Sequence, residues 1–335
     1  MNTSNPAPTI YDVAEMASVS IATVSRVLNS PDLVSKKTMG KVLRAINRLG
    51  YIPKADARER ARKEFGRIGV ITPFFTLPSF AQRLRGIAAA LVGSPYNLTI
   101  YPVDSKARLD NYFTVMPFSK QIDGLIIVSL PMDGSHQERL KSTDIPTLLI
   151  ENRVPGYSSI EIDNWYGGKL AAEHFIAKKH QRCAYVGDTV TPDYTLRPED
   201  DRLAGYLDTL RQYGVTVPEE YIKLPVFPLR DQDNQVNELL DLDHPPTAVF
   251  AATDDLALQV LKVARKRGVR IPEDLALIGF DDIDIAAYLE LTTISQSLFE
   301  SGKLAVDHLV SQIANPTRPI ENTFIQLKLV ERSTT

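Results

Sequence analysis

From Gly66 onward, short β-branched runs alternate with helical stretches, and few architectures accommodate that order. Ile68-Gly69-Val70-Ile71, Leu98-Thr99-Ile100-Tyr101, Gly124-Leu125-Ile126-Ile127-Val128 and Thr147-Leu148-Leu149-Ile150 are separated by segments such as Phe80 to Leu91 and Gln137 to Ser142. A second series places strands at Arg182 to Gly187, Ala248 to Ala252 and Leu275 to Phe280. Its helices fall around Gly168–Lys178, Arg202–Tyr213 and Asp255–Arg267. Strand, helix, strand repeated means a parallel sheet covered on both faces, and two series of this length imply two α/β lobes. Open parallel sheets bind ligands at the carboxyl ends of their strands, so two facing lobes make a cleft.

The first sixty residues have a different character. Thr9 to Asn29, TIYDVAEMASVSIATVSRVLN, contains two short apolar-periodic segments around a tight polar turn. Thr9-x-x-Asp12 is a capping box for the first helix, and Ser20 is a good N-cap for a second running from Ile21 to about Leu28. Val24, Val27 and Leu28 share one face of that second helix, while Ile21, Ala22, Ser25, Arg26 and Asn29 fall on the other. A third segment, Ser35 to Leu49, keeps Val42, Ile46 and Leu49 in register before Gly50, so three helices can share one small core. This is a helix-turn-helix arrangement whose polar face is left to read something. Residues 1–63 hold 5 Lys and 6 Arg against 3 Asp and 2 Glu, a net charge of +6, whereas the whole chain carries −3. Residues 64–335 therefore carry −9, and the segregated positive charge points to a polyanion partner.

In TIYDVAEMA, VSIATVSRVLN, VSKKT and YIP the segment resembles the headpiece of the lactose-repressor (LacI/GalR) family of transcription regulators. By position, the resemblance makes Arg26 the main base reader, its guanidinium suited to O6 and N7 of guanine. It places Ile21, Ala22 and Asn29 beside neighbouring bases, and Tyr11, Ser20, Thr23, Ser25 and Ser35 on phosphates. One departure is Ser18, where the family usually has Gly in the turn; a left-handed Ser there costs on the order of 1 kcal/mol.

Tyr51 to Lys63 is rich in Ala and charge, a linker with helical propensity and nothing to bury. In the family this hinge enters the minor groove with a Leu wedge; here Arg60 holds that position, with Ala57 beside it, and no Leu lies between Leu49 and Leu77. The expectation is a hinge that binds by charge and bends DNA less.

The resemblance continues through IDNWYGG, RLAGYLDTL, AATDDLALQVL, IPEDLALIGFDD and LTTISQS to IQLKLVERS. It implies an α/β fold with a three-helix headpiece (1–50), a hinge (51–65) and a two-lobed, periplasmic-binding-protein-like core. One lobe would comprise 66–163 with 296–322 and the other 164–295 with 323–335, with crossings near Asp163, Ser295 and Asn322. It assigns Phe74, Phe75, Glu151, Arg202, Phe227, Thr253 and Asp281 to an effector cleft, a set suited to sugar hydroxyls and a C–H-rich ring. Plainer readings stay open: Asp281 and Asp282 as a helix cap, Arg202 as a surface ion-pair partner, Phe227 as core. Thr253 replaces the family's common Asn, and Trp165 either lines the cleft or wedges a crossing.

Signatures of catalysis are missing. There is no Gly-x-Ser-x-Gly elbow, no Walker-type loop and no His pair at zinc spacing, and the single Cys183 falls in a strand that reads as buried. The expectation is no enzyme, no metal and no cofactor, but a small-molecule effector, a sugar by resemblance, and double-stranded DNA with a palindromic operator. An effector-independent architectural DNA-binding protein and a sugar-processing enzyme are the alternatives. With no signal peptide or long apolar run, a cytoplasmic protein with no membrane contact is expected. The lack of a leucine heptad after Val330 favours a homodimer.

Overall fold

The structure, a computed structural model, describes residues 8–29, 34–49, 51, 66–115, 121–188, 192–224 and 232–335. It divides into two compact units, residues 1–65 and 66–335.

In the first unit, helices α1 (Ile10–Ala17), α2 (Ile21–Asn29) and α3 (Lys36–Leu49) enclose Val13, Ala14, Ala17, Val24, Val27, Val42 and Ala45, with Ile46 and Leu49 packed at the edge. The Asp12 carboxylate accepts from the backbone N–H and the hydroxyl of Thr9 at 2.6 and 2.7 Å, which holds the start of α1. Ser20 Oγ accepts from the Thr23 N–H at 3.1 Å and caps α2, and Ser35 caps α3 in the same way through Thr38. Ser18 ends α1 in the left-handed region, φ 53 and ψ 49, with its N–H returned to Ala14 and Glu15. Burying each valine side chain contributes roughly 1.5–3 kcal/mol, so this small core depends on few residues. Gly50, the expected stop of α3, and the side chain of Leu28 lie outside the described residues.

The second unit carries two six-stranded sheets among the described residues. In the first, β1 (Arg67–Pro73), β2 (Asn97–Val103), β3 (Gly124–Val128), β4 (Thr147–Ile150), β5 (Ser158–Ile162) and a late strand, β11 (Asn322–Ile325), pair in the order β11-β5-β4-β3-β1-β2, all parallel. In the second, β6 (Cys183–Val186), β7 (Ile222–Lys223), β8 (Ala248–Ala251), β9 (Ala276–Asp281), β10 (Thr292–Ser295) and β12 (Lys328–Val330) pair in the order β12-β10-β9-β8-β6-β7. Only β12 there runs antiparallel. Strands such as Gly124–Val128 and Ala248–Ala251 are buried along their whole length, because helices cover both faces.

Two pairs of helices set the geometry that follows. α4 (Pro78–Leu91) packs on α12 (Leu298–Ala314) in the first lobe, and α7 (Asn164–Ala177) packs on α8 (Pro198–Gln212) in the second. Glycines allow the close approach: a Cβ at Gly86 would lie 2.0 Å from Phe299 O, and one at Gly205 only 1.9 Å from Trp165 O. The chain crosses between lobes after β5 at Asp163 and after β10 at Gln296. The last crossing falls at Gln326–Leu327, a few residues later than expected, because Asn322–Ile325 pairs with β5 in the first sheet while Leu327 is buried in the second lobe's core. Thr334 anchors the segment after β12 by accepting from the Thr292 N–H at 2.9 Å and donating to Leu277 O at 2.7 Å. No described helix is long and apolar enough to cross a membrane.

Candidate functional site

On the headpiece, Arg26, Ala22, Ser20 and Ser35 are exposed, Ile21 is 41% exposed and Tyr11 67%, while Val24 beside them is fully buried. Amphipathic spacing thus turns the expected reading residues outward, α2 being held by its apolar side. The hydroxyls of Ser20 and Thr23 already engage each other at 2.9 Å, as do those of Ser35 and Thr38, and Thr23 and Ser25 are half-buried. The Asn29 side chain and the hinge residues Ala57 and Arg60 lie outside the described residues.

In the second unit, both sheets reverse strand order at their first strand in sequence: β1 lies between β2 and β3, and β6 between β7 and β8. The carboxyl ends of β1 and β6, where chains part to either side, open onto one cavity. Phe74, Glu151, Arg202, Thr253 and Asp281 line it as expected from the sequence. Phe75 does not. Phe74 turns at φ 46 after β1 and packs edge-on against Phe80, with ring centroids 5.9 Å apart, which leaves Phe75 41% exposed and away from the cavity. Phe227 lies outside the described residues. Trp165, on α7, is 38% exposed with its N–H 3.4 Å from Asp208, and it does not line the cavity.

The polar groups form a connected set. Arg202, 3% exposed, donates from Nε to Asn164 at 2.9 Å and from Nη1 to Ala252 O at 2.7 Å, with its guanidinium 3.6 Å over the Phe280 ring. The surface ion-pair reading of Arg202 is therefore wrong. Asp281 accepts from Gln296, whose Oε1 accepts from Arg83 Nη2 at 3.1 Å. Arg83 donates to Glu151 at 2.6 Å and to Ser301 at 3.1 Å, and Ser129 donates its hydroxyl to the other Glu151 oxygen. Thr253 spends its hydroxyl capping α10 (Asp254–Arg267), accepting from the Leu256 N–H at 3.2 Å. Ser129, Glu151 and Asp281 all take positive φ at their strand ends (52, 62 and 116), which aims strained backbone at the cavity.

Burial opposes charge on Glu151, but Arg83, the Ser129 hydroxyl and Arg202 together outweigh it and hold the carboxyl below its ordinary range. Asp281 has gone the other way: burial pushes it up to about 7, against the pull of Arg202 and Gln296. Asp188, just beyond β6, is pushed up to about 6 by burial with Glu199 adding to it; burial also raises Glu199.

Arg83, Asp188, Glu199 and Gln296 were not anticipated. A signal for Arg83 exists in the sequence: Arg83-Leu84-Arg85-Gly86 and Arg202-Leu203-Ala204-Gly205 repeat Arg-Leu-x-Gly, once in each lobe. In both copies glycine permits the helix approach that brings arginine to the cavity.

No group of three or more His, Cys, Asp or Glu among the described residues could hold a metal ion. Cys183 is fully buried and its thiol pushed up to about 11 by burial, which keeps it protonated and unreactive.

The arrangement is that of a ligand receptor joined to a helix-turn-helix, and known proteins share it along the whole chain. Residues 9–54 match "Bacterial regulatory proteins, lacI family", and residues 172–335 match "Periplasmic binding protein-like domain". The chain is 32% identical to the HTH-type transcriptional repressor CytR of Escherichia coli (strain K12), over 98% of this chain and 96% of that one. The lac repressor dimer bound to operator and the anti-inducer ONPF superposes with a TM-score of 0.76 at 28% identity, covering 98% and 99% of the two chains. A LacI family transcriptional regulator from Enterococcus faecium with bound ribose superposes with a TM-score of 0.70 at 28% identity, covering 80% and 98%. The chain belongs to the lacI family of bacterial regulatory proteins. It is a DNA-binding transcriptional repressor, not an enzyme.

Proposed function

We propose that this repressor acts in the cytoplasm as a homodimer on a palindromic operator, and that a small, sugar-like effector in the cavity between the lobes sets its operator affinity. The observation that carries this reading is the convergence of Arg202, Asp281, Glu151 and Phe74 on one cavity where both sheets reverse order. Forked donors, buried carboxyls and an aromatic ring are the groups a polyhydroxylated ring requires. The ribose-bound relative supports a sugar as ligand class, and the operator-bound lac repressor dimer supports a symmetric complex.

In this reading Arg26 reads a guanine and Ile21, Ala22 and Asn29 contact adjacent bases, while Tyr11, Ser20, Thr23, Ser25 and Ser35 hold phosphates. Ala57 and Arg60 follow the minor groove. Closure of the lobes on the ligand changes the spacing of the two headpieces, and the coupling is reciprocal, typically about 1–3 kcal/mol. An architectural DNA-binding protein has no use for a buried, strained, charged cavity. The test is a thermal-shift panel of mono- and disaccharides followed by operator titration, monitored by fluorescence anisotropy, with and without each hit. A saturable shift that also changes operator affinity supports the reading; a ligand that stabilises the protein without altering operator binding refutes the coupling.

A further inference from the structure

With Arg83 matched to Glu151, the cavity among the described residues sets one further guanidinium, Arg202, against the carboxyls of Asp188, Glu199, Asp255 and Asp281. Asp281 accepts from Gln296. Asp188 Oδ1 and Glu199 Oε2 differ: both are buried and neither accepts a hydrogen bond among the described residues. A buried acceptor left without a donor is costly, the more so when it carries charge, and in a binding cavity it marks where a ligand donor docks. Asp188 follows β6, the strand at which the second sheet reverses, and Glu199 lies in the first turn of α8, so two rigid elements present the pair.

Resting on the reading of this cavity as the effector site, we propose that Asp188 and Glu199 form a subsite for an N–H donor. The effector then carries an amine or a nucleobase amino group there, and no phosphate or carboxylate. An anion would join two carboxyls that already repel one another, whereas an N–H group relieves both orphaned oxygens. A hydroxyl-only sugar can fill the Arg202 and Asp281 side, but one hydroxyl has a single proton and satisfies only one of the two orphaned oxygens, whereas an amino group carries at least two N–H bonds. Burial and the Glu199 charge keep Asp188 partly protonated near neutrality, and a cationic donor would draw it back to carboxylate.

The experiment is a thermal-shift and calorimetric titration of the full chain and of its Glu199→Gln variant. D-glucosamine, adenosine and cytidine are the N–H probes, D-glucose and D-ribose the hydroxyl-only probes, and D-glucose 6-phosphate the anionic probe. The expected result is that an N–H probe binds more tightly than every other probe and that Glu199→Gln weakens it about tenfold or more. The same variant should change hydroxyl-only binding by less than about twofold, well within the effect of a lost neutral contact. A response to D-glucosamine alone assigns an ammonium, and a response to a nucleoside alone assigns a base amino group. If a hydroxyl-only sugar or the phosphate binds as tightly as every N–H probe, the subsite is wrong while the effector reading stands. If no probe binds, the subsite proposal is overturned, and the effector reading falls with it only when the wider saccharide panel is silent too. Asp188→Asn serves as the second variant should Glu199→Gln fail to fold.

Discussion

Gln296 donates its side-chain N–H to Asp281 of the second lobe while its carbonyl oxygen accepts from Arg83 of the first, at 3.1 Å. It sits at a crossing between the sheets, so a single amide links the buried charges of both lobes. A movement that carries Asp281 away from Arg83 has to break one of these bonds, so the amide couples the two lobes at the crossing.

Arg83 and Glu151 form a buried pair at 2.6 Å, with side chains only 3% and 8% exposed. Removing the cation alone leaves the buried carboxylate with only the Ser129 hydroxyl and the charge of Arg202, so Arg83→Met should cost about 3–5 kcal/mol in urea denaturation. Replacing both partners, Arg83→Met with Glu151→Leu, removes the charge as well and should be clearly less damaging. Equal losses in the single and double variants would mean that the pair contributes only by packing.

The pH response follows from Asp281. Its carboxyl sits at about 7 in the fold, against an ordinary unfolded value of about 3.9. The folded state therefore binds more protons than the unfolded state in that window, and stability is lost as pH rises from about 4 to about 7. Asp188, at about 6, acts in the same sense. Asp281→Asn should flatten the decline measured by chemical denaturation between pH 5 and 7; an unchanged slope would place the titration elsewhere.

Ser18 occupies the left-handed region at φ 53, a conformation that costs a non-glycine residue roughly 1–2 kcal/mol. Glycine relieves that strain but loses about 0.4–1 kcal/mol through the freer unfolded chain. The net expectation for Ser18→Gly is a headpiece more stable by about 0.5–1 kcal/mol. Helical circular dichroism of the headpiece transition reads the sign, and a lower midpoint would contradict the argument.

For Arg26, the bidentate pairing assigned to it is worth about 1–3 kcal/mol of base discrimination. Arg26→Ala should narrow the gap between operator and random DNA by that amount, and Arg26→Lys should keep the salt dependence while losing most of the discrimination. If Arg26→Lys matched the parent protein on both counts, the residue would be a phosphate contact only.

Much of this was legible in the sequence because the physics is local. β3, β4 and β8 read as strands since their β-branched and aliphatic runs are buried on both faces, and Ser20 announced the start of α2 as an N-cap by its type. What was not legible depended on burial. β5 is Ser-Ser-Ile-Glu-Ile, in which Ser158 and Ser159 are buried with their hydroxyls bonded, so its polarity hid it. Phe74 and Phe75 are neighbours of one chemistry, and only the turn at Phe74 separates their fates. Asp188 and Glu199 resemble solvent-facing loop and helix-start acids until the lobes close around them. Arg83 had a readable signal in the doubled Arg-Leu-x-Gly, but its meaning lies in the helix packing that each glycine permits.

The same packing makes α7 and α8 intolerant of any added side-chain carbon at their contact. A methyl group at Gly205 would stand 1.9 Å from Trp165 O, and one at Gly168 would stand 1.9 Å from Arg202 O. Both obstacles are backbone atoms, which cannot rotate away, so α7 and α8 must separate. α7 also carries Asn164, which holds Arg202 Nε at 2.9 Å, so separation moves the cavity's guanidinium as well as the core. Gly205→Ala should therefore lower stability by about 1–3 kcal/mol, the usual range for overpacking, and should weaken ligand-induced stabilisation further than that loss explains. Gly134→Ala is the matched control, since nothing lies within 4 Å of the added carbon, and it should leave ligand affinity unchanged while raising stability by at most about 0.4–1 kcal/mol. If Gly205→Ala lost stability but kept full ligand affinity, the helix crossing would support the core without positioning Arg202.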